Sequence, residues 1–260
     1  MGSVILVPIV ITVIIGPYLL PHSPLEMTID FLQPPSGKHP FGTDSFGRDV
    51  LARVLRGGRA SLGLGFLAMM TTGILGAIIG LVSIVSAKVD YVTMRFIDVL
   101  MAFPDLLLAL GIMAILGQKA VNILIALTIV YTSRTARVVR SAALSIKEQD
   151  YVEAARALGI PTWRILVRHV LPNALPPLVV QGTFIFAWSI LMEAGLSFIG
   201  IGIQPPAPSL GNIVSEARVI VREAPWLIFI PGSIIVLIVL AINLLGDGLR
   251  EAVDPKMKIM

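Results

Sequence analysis

Hydrophobic residues in this chain gather in long unbroken runs. No charged residue lies between Val4 and Leu20, and the first acid is Glu26. Ala60 to Ala87 is again free of charge. Val99 to Gly117 is apolar apart from Asp105, and Ala120 to Ser133 is uncharged. Leu171 to Met192 and Ala224 to Gly246 complete the set. About 20 apolar residues cross a bilayer. The pattern therefore predicts six transmembrane helices, at about 4–20, 60–87, 96–117, 120–141, 174–197 and 224–246. The fold class expected is all-α, a polytopic membrane protein whose single transmembrane domain covers 1–260. Three polar stretches separate the runs: an outer segment 21–59 rich in Pro and Gly, a loop 142–173, and an outer loop 204–223. The last opens on Gln204-Pro205-Pro206-Ala207-Pro208-Ser209, which cannot begin as a helix.

The first run could also be a signal peptide, but it has no basic n-region and no small-x-small cleavage site, so it reads as an uncleaved helix. Met1-Gly2-Ser3 reads as an engineered start, with a cytoplasmic tail expected before it.

Composition sharpens the membrane reading. Of 260 residues 56% are hydrophobic and 14% charged, with mean hydropathy +0.89. An average soluble domain is roughly 25% charged, so a soluble enzyme, a disordered chain and a nucleic-acid-binding domain are all excluded in favour of the lipid bilayer as solvent. The net charge of +4 reflects cytoplasmic loops enriched in Lys and Arg. Seven basic residues fall between Arg134 and Arg168, which places that loop in the cytoplasm. Six spans then put both termini there too.

Candidate chemistry is sparse. Cysteine is absent, and His22, His39 and His169 show no ligand spacing, so no metal site is expected. No phosphate loop, H-E-x-x-H or G-x-S-x-G motif occurs. The chain is not expected to be an enzyme, to have catalytic residues or to bind a cofactor. Two acids lie within spans, where a charge costs about 2.5–3.5 kcal/mol on insertion scales. Asp105 either caps the helix after Pro104 or lines a translocation path. Glu193 either bonds between helices or contacts substrate. Asp98 sits at a membrane edge. Gly76 and Gly80 form G-x-x-x-G, which serves internal packing or a subunit interface equally well. Arg134, Arg137 and Arg140 line one helix face that could meet lipid phosphates.

The cytoplasmic loop carries the sharpest pattern. Asp150 to Leu158 predicts a short helix, Gly159 its left-handed stop, and Pro161 the first turn of a second helix that runs from Thr162 to Leu171 and ends before Pro172. Ala154 and Ala155 permit close approach of a partner, and Glu153 and Arg156 can orient it by charge. A solvated amphipathic loop is the alternative.

Glu153-Ala154-Ala155, Gly159 and Leu171-Pro172 resemble the EAA signature of inner-membrane permease subunits of ABC importers. His169 stands where the general pattern has Ile, and Arg168-His169-Val170-Leu171-Pro172-Asn173 is similar to the dipeptide, oligopeptide and nickel branch. Further marks of that branch are Phe41-Gly42-Thr43-Asp44, Gly47-Arg48-Asp49, Gly57-x-Arg59-x-Ser61-Leu62, Glu193 to Gly200, and Gly246-Asp247-Gly248-Leu249-Arg250 with Asp254-Pro255. The outer run resembles the C-type permease.

The resemblance implies a type I ABC importer permease fold with an EAA coupling-helix loop, in a prokaryotic cytoplasmic (inner) membrane. It implies half of a translocation path for di- or oligopeptides, completed by a B-type permease subunit, with nickel or a nickel chelate as the alternative cargo. Two ABC ATPase subunits would hold ATP and magnesium, and an extracytoplasmic peptide-binding protein would deliver substrate. Glu153, Ala154, Ala155, Arg156, Leu158, Gly159 and Pro161 would form the ATPase dock. A self-contained secondary transporter is the reading from a different class, and it would call for more intramembrane charges and an internal repeat.

Overall fold

The structure is a computed structural model and describes residues 2–20 and 23–253. The C-terminal Asp254-Pro255 of the sequence reading lies outside them. Ten α-helices follow one another: α1 Gly2–Leu19, α2 Val50–Ser83, α3 Ala87–Met101, α4 Asp105–Leu116, α5 Ala120–Lys147, α6 Asp150–Ala157, α7 Thr162–Ile165, α8 Leu171–Ile199, α9 Leu210–Ala217 and α10 Trp226–Val253. Among the described residues the only extended pairing is an isolated bridge from Thr43 to Asp49.

Helices α1, α2, α8 and α10 are long and apolar enough to cross a bilayer, and α3 with α4 would make a fifth crossing if the bent pair is one span. The expected third span is broken there by 92°. Pro104 has no N–H and pushes Phe103 out of the helical region, so the apolar run cannot continue straight. The segment expected to form a sixth span, α5, falls short of the others in hydropathy because of its arginines. It is the inner helix of the bundle, packed by α2, α8, α3 and α4, with Ile123, Ala126, Leu127, Val130 and Tyr131 fully buried. A helix wrapped by protein need not be lipophilic on every face.

Gly76 and Gly80 set that packing. A β-carbon at Gly76 would lie 2.5 Å from Thr135 Cβ, and one at Gly80 2.7 Å from the Ala136 carbonyl oxygen. The two glycines therefore let the α2 and α5 backbones touch inside this chain, which decides between the two readings of the motif.

Helix α2 begins ten residues before the expected span. Asp49 caps it, its Oδ1 accepting from the Ala52 N–H at 2.8 Å. Arg53, one of the charges that hid this start, is paired, as is Arg48 just before the helix. Asp44 accepts from Arg48 Nε at 2.7 Å and Arg53 Nη1 at 2.5 Å. Glu216 on α9 accepts from Arg48 Nη2 at 2.9 Å and from both Arg53 Nη atoms at 2.9 and 3.1 Å. Helix α9 itself was concealed in the outer loop. A capping box starts it: Ser209 Oγ accepts from the Asn212 N–H, and Asn212 Oδ1 from the Ser209 N–H.

Candidate functional site

Three places hold the residues singled out above. At the foot of the bundle, Gln149 precedes α6, and Gly159 ends it with φ of +77°, a conformation glycine adopts without strain. The Ile160 N–H bonds the Ala155 carbonyl and the Gly159 N–H bonds that of Arg156, both closing the helix end in the pattern of a Schellman cap. Val152 and Ala155 face inward, onto a cluster of Ala77, Leu81, Ile84, Val139, Ala143, Ile165 and Val170. Ala155 is thus a seat for α6 against the spans, and its expected place in the docking surface is corrected: spacing alone does not say which of two adjacent alanines points out.

Glu153, Ala154, Arg156, Leu158, Gly159 and Pro161 are all exposed. Leu158 is 81% exposed, far more than an unpartnered leucine gains from. Trp163, 62% exposed with the Arg164 guanidinium 5.3 Å from its ring centre, extends the same surface and was missed, because no spacing rule marks it.

The second short helix does not stop before Pro172. It passes through a π turn, Leu166–Val170, directly into α8. A π turn shifts the hydrogen-bond register to i→i+5, and Pro172, with no N–H to give, sits just past it. Thr162 to Ile199 is one 38-residue helical piece, about 57 Å at 1.5 Å per residue.

Near its other end stands Glu193, 1% exposed. Its carboxylate accepts from Ser61 Oγ on α2 at 3.1 Å, Ser197 Oγ on α8 at 2.8 Å and Ser209 Oγ before α9 at 2.8 Å. Ser61 Oγ also accepts from the Leu210 N–H. Enclosed and fully bonded, Glu193 joins helices; its expected place on a path is not where the structure puts it.

The third place is the face of α5. Arg134 bonds Asp105 Oδ2 at 2.6 Å, Arg137 bonds Asp98 Oδ1 at 2.5 Å, and Arg140 grips Asp90 through Nε and Nη2, both at 2.5 Å. The expected lipid-phosphate role of the three arginines gives way to a ladder of ion pairs. Asp105, at the start of α4, is half-buried beside Arg134 and does not cap through its side chain. Between α5 and α8 a cleft of about 480 Å³ opens, lined by Tyr131, Arg134, Arg137, Gln181, Phe184 and Trp188 among others.

Residues 69–259 match the family described as "binding-protein-dependent transport system inner membrane component". Over 259 residues the chain is 46% identical to a putative peptide transport system permease protein of Brucella suis, covering 99% of this chain and 88% of that one. It is 42% identical to a dipeptide transport system permease protein of Alkalihalophilus pseudofirmus, covering 99% and 85%. A chain of the MetNI methionine ABC transporter, solved in inward-facing conformations, superposes with TM-score 0.65 at 23% identity over 77% of this chain and 96% of its own. That likeness is one of fold.

Proposed function

The chain belongs to the family of inner-membrane components of binding-protein-dependent transport systems, and from that premise we propose that it forms half of the translocation path of an ABC importer for di- and oligopeptides. A B-type permease subunit supplies the other half. Two ABC ATPase subunits, carrying ATP and magnesium, dock from the cytoplasm, and an extracytoplasmic binding protein delivers the peptide. Both termini are cytoplasmic, and this chain binds no nucleotide and no metal.

The observation that carries the proposal is the foot of the bundle. Glu153, Ala154, Arg156, Leu158, Gly159 and Pro161 are open to a partner while Val152 and Ala155 hold the same short helix to the spans. A push on the open face is passed to α2 and α5 through the seat of Val152 and Ala155, and along the chain into Thr162–Ile199. That is the mechanical requirement for coupling ATPase closure to alternating access. Asp105 takes part through Arg134, and Glu193 as the outer fixture of the moving helix. The peptide cargo is supported by the names of the similar permeases; nickel or a nickel chelate is the cargo to test against it.

The experiment is to reconstitute the chain with its ATPases, partner permease and binding protein and to measure ATP turnover with Glu153→Arg. At least a tenfold loss of binding-protein-stimulated turnover, together with weakened complex formation, is expected. Unchanged turnover and assembly defeat the docking claim. Uptake of dipeptides against nickel chelates in the same vesicles decides the cargo. Single cysteines at Ser36 and Ser145, both exposed, read the orientation: the first reacts from outside, the second only from inside.

A further inference from the structure

The cleft between α5 and α8 holds a combination that neither packing nor docking uses. Tyr131 is 1% exposed, yet its hydroxyl has no hydrogen-bond partner. Buried hydroxyls are normally bonded, and this unpaired one belongs to a residue in the wall of the cleft. Arg134 and Arg137 stand beside it, each about half exposed. Their pairing differs from that of the third arginine. Arg140, outside the cleft, spends Nε and Nη2 on both oxygens of Asp90. Arg134 and Arg137 each spend only one Nη2, on one oxygen of Asp105 and of Asp98. A guanidinium has five N–H donors, so each keeps an edge free for a second carboxylate. Exposed pairs of this kind are weak, which makes one carboxylate easily replaced by another. The rest of the lining is apolar and aromatic, with Phe184, Ile185 and Trp188, and Gln181 adds one amide.

We propose that this cleft is a substrate-binding site of the permease itself, in which Arg134, Arg137 and the Tyr131 hydroxyl receive the carboxylate of a peptide and Phe184 and Trp188 take an apolar side chain. Asp98 and Asp105 are the resident anions that the incoming carboxylate displaces. The inference rests on the peptide-importer reading for its cargo, and the geometry of the cleft supplies the rest.

The test is equilibrium binding of the dipeptide Ala-Phe and of its C-terminal amide to the assembled permease–ATPase complex in detergent, without the binding protein. Saturable binding of Ala-Phe, at least tenfold tighter than the amide, is expected. Arg137→Gln loses that binding tenfold or more, and Tyr131→Phe weakens it several-fold. Asp98→Asn separates ligand binding from a structural role, because it removes the competing anion and should tighten binding. If the ladder is only structural, Asp98→Asn and Arg137→Gln harm assembly and binding alike, and the proposal fails. Equal affinity for Ala-Phe and its amide overturns it, as does a cleft that takes up phosphatidylglycerol from mixed micelles while ignoring Ala-Phe. Uptake in vesicles, measured beside binding, keeps the two readings apart. Uptake without carboxylate-selective binding removes this site and leaves the importer, whereas selective binding without uptake keeps the site and removes the importer.

Discussion

Two clusters of arginine and aspartate lie at opposite ends of this bundle, and they are built differently. The outer one joins Asp44, Arg48, Arg53 and Glu216. The side chains of Asp44, Arg48 and Arg53 are only 3–6% exposed, and both carboxylates are shared between two guanidiniums. The inner one is a ladder of separate pairs, and its cleft-lining arginines are 44% and 47% exposed with one bond each. Both pair arginine with carboxylate: burial and the number of bonds per group separate a fixture from an exchangeable contact. Removing one partner from the outer lattice leaves buried groups short of bonds. Removing one from the ladder frees a side chain that is already partly exposed.

That contrast can be broken by measurement. The largest effect belongs to Arg53→Ala, which leaves Asp44 and Glu216 short of a partner and should cost about 3–5 kcal/mol. It would be seen as a large drop in the midpoint of thermal unfolding in detergent, or as failure to accumulate. Next comes Gly80→Val, which forces α2 off the α5 backbone at about 1–3 kcal/mol. If packing, not the ladder, fixes α5, this variant lowers the midpoint more than loss of any single rung. Arg134→Ala should shift stability by no more than about 1 kcal/mol. A loss equal to that of Arg53→Ala would erase the distinction between the two regions.

The smallest effect tests whether exposure or location decides. Lys38 and Asp30 form an exposed pair in the outer segment, and the Lys38 ammonium holds the Asp30 carboxyl below the usual carboxylate range. A depressed carboxylate adds stability above its unfolded value, about 3.9, and loses it as pH falls through the folded one. Wild type and Lys38→Ala should therefore differ slightly and constantly from pH 7 to pH 5, and the difference should close below about pH 4. A difference that grows on acidification would contradict the pairing.

Much of this architecture was legible in the order of residues. Runs without charge located α1, the body of α2, α8 and α10, because lipid solvation demands such runs. Gly159 announced its turn because few other residues adopt that backbone. What stayed hidden depends on partners far away in the chain. The start of α2 at Val50 is masked by Arg53, Arg56 and Arg59, and only the pairing of Arg53 with Glu216, 163 residues on, makes a helix there reasonable. The ladder joins α5 to acids 29, 39 and 50 residues earlier. The break at Pro104 was visible as a proline, but its 92° bend was not. The start of α9 escapes because a capping box is short; Ser209 and Asn212 were the available clue. Within the loop 142–173 only burial separates Ala154 from Ala155.

The uninterrupted Thr162–Ile199 rod has one more consequence. At one end its Glu193 accepts from the Ser61 and Ser209 hydroxyls, and at the other its Ile165 packs in one cluster with the buried Ala155. Held at both extremities, this one helical piece ties the two ends of the bundle to each other. The π turn at Leu166–Val170 and the prolines Pro176 and Pro177 inside α8 are its irregular joints. If the two ends move as one body, dyes placed at the foot and at the crown change together.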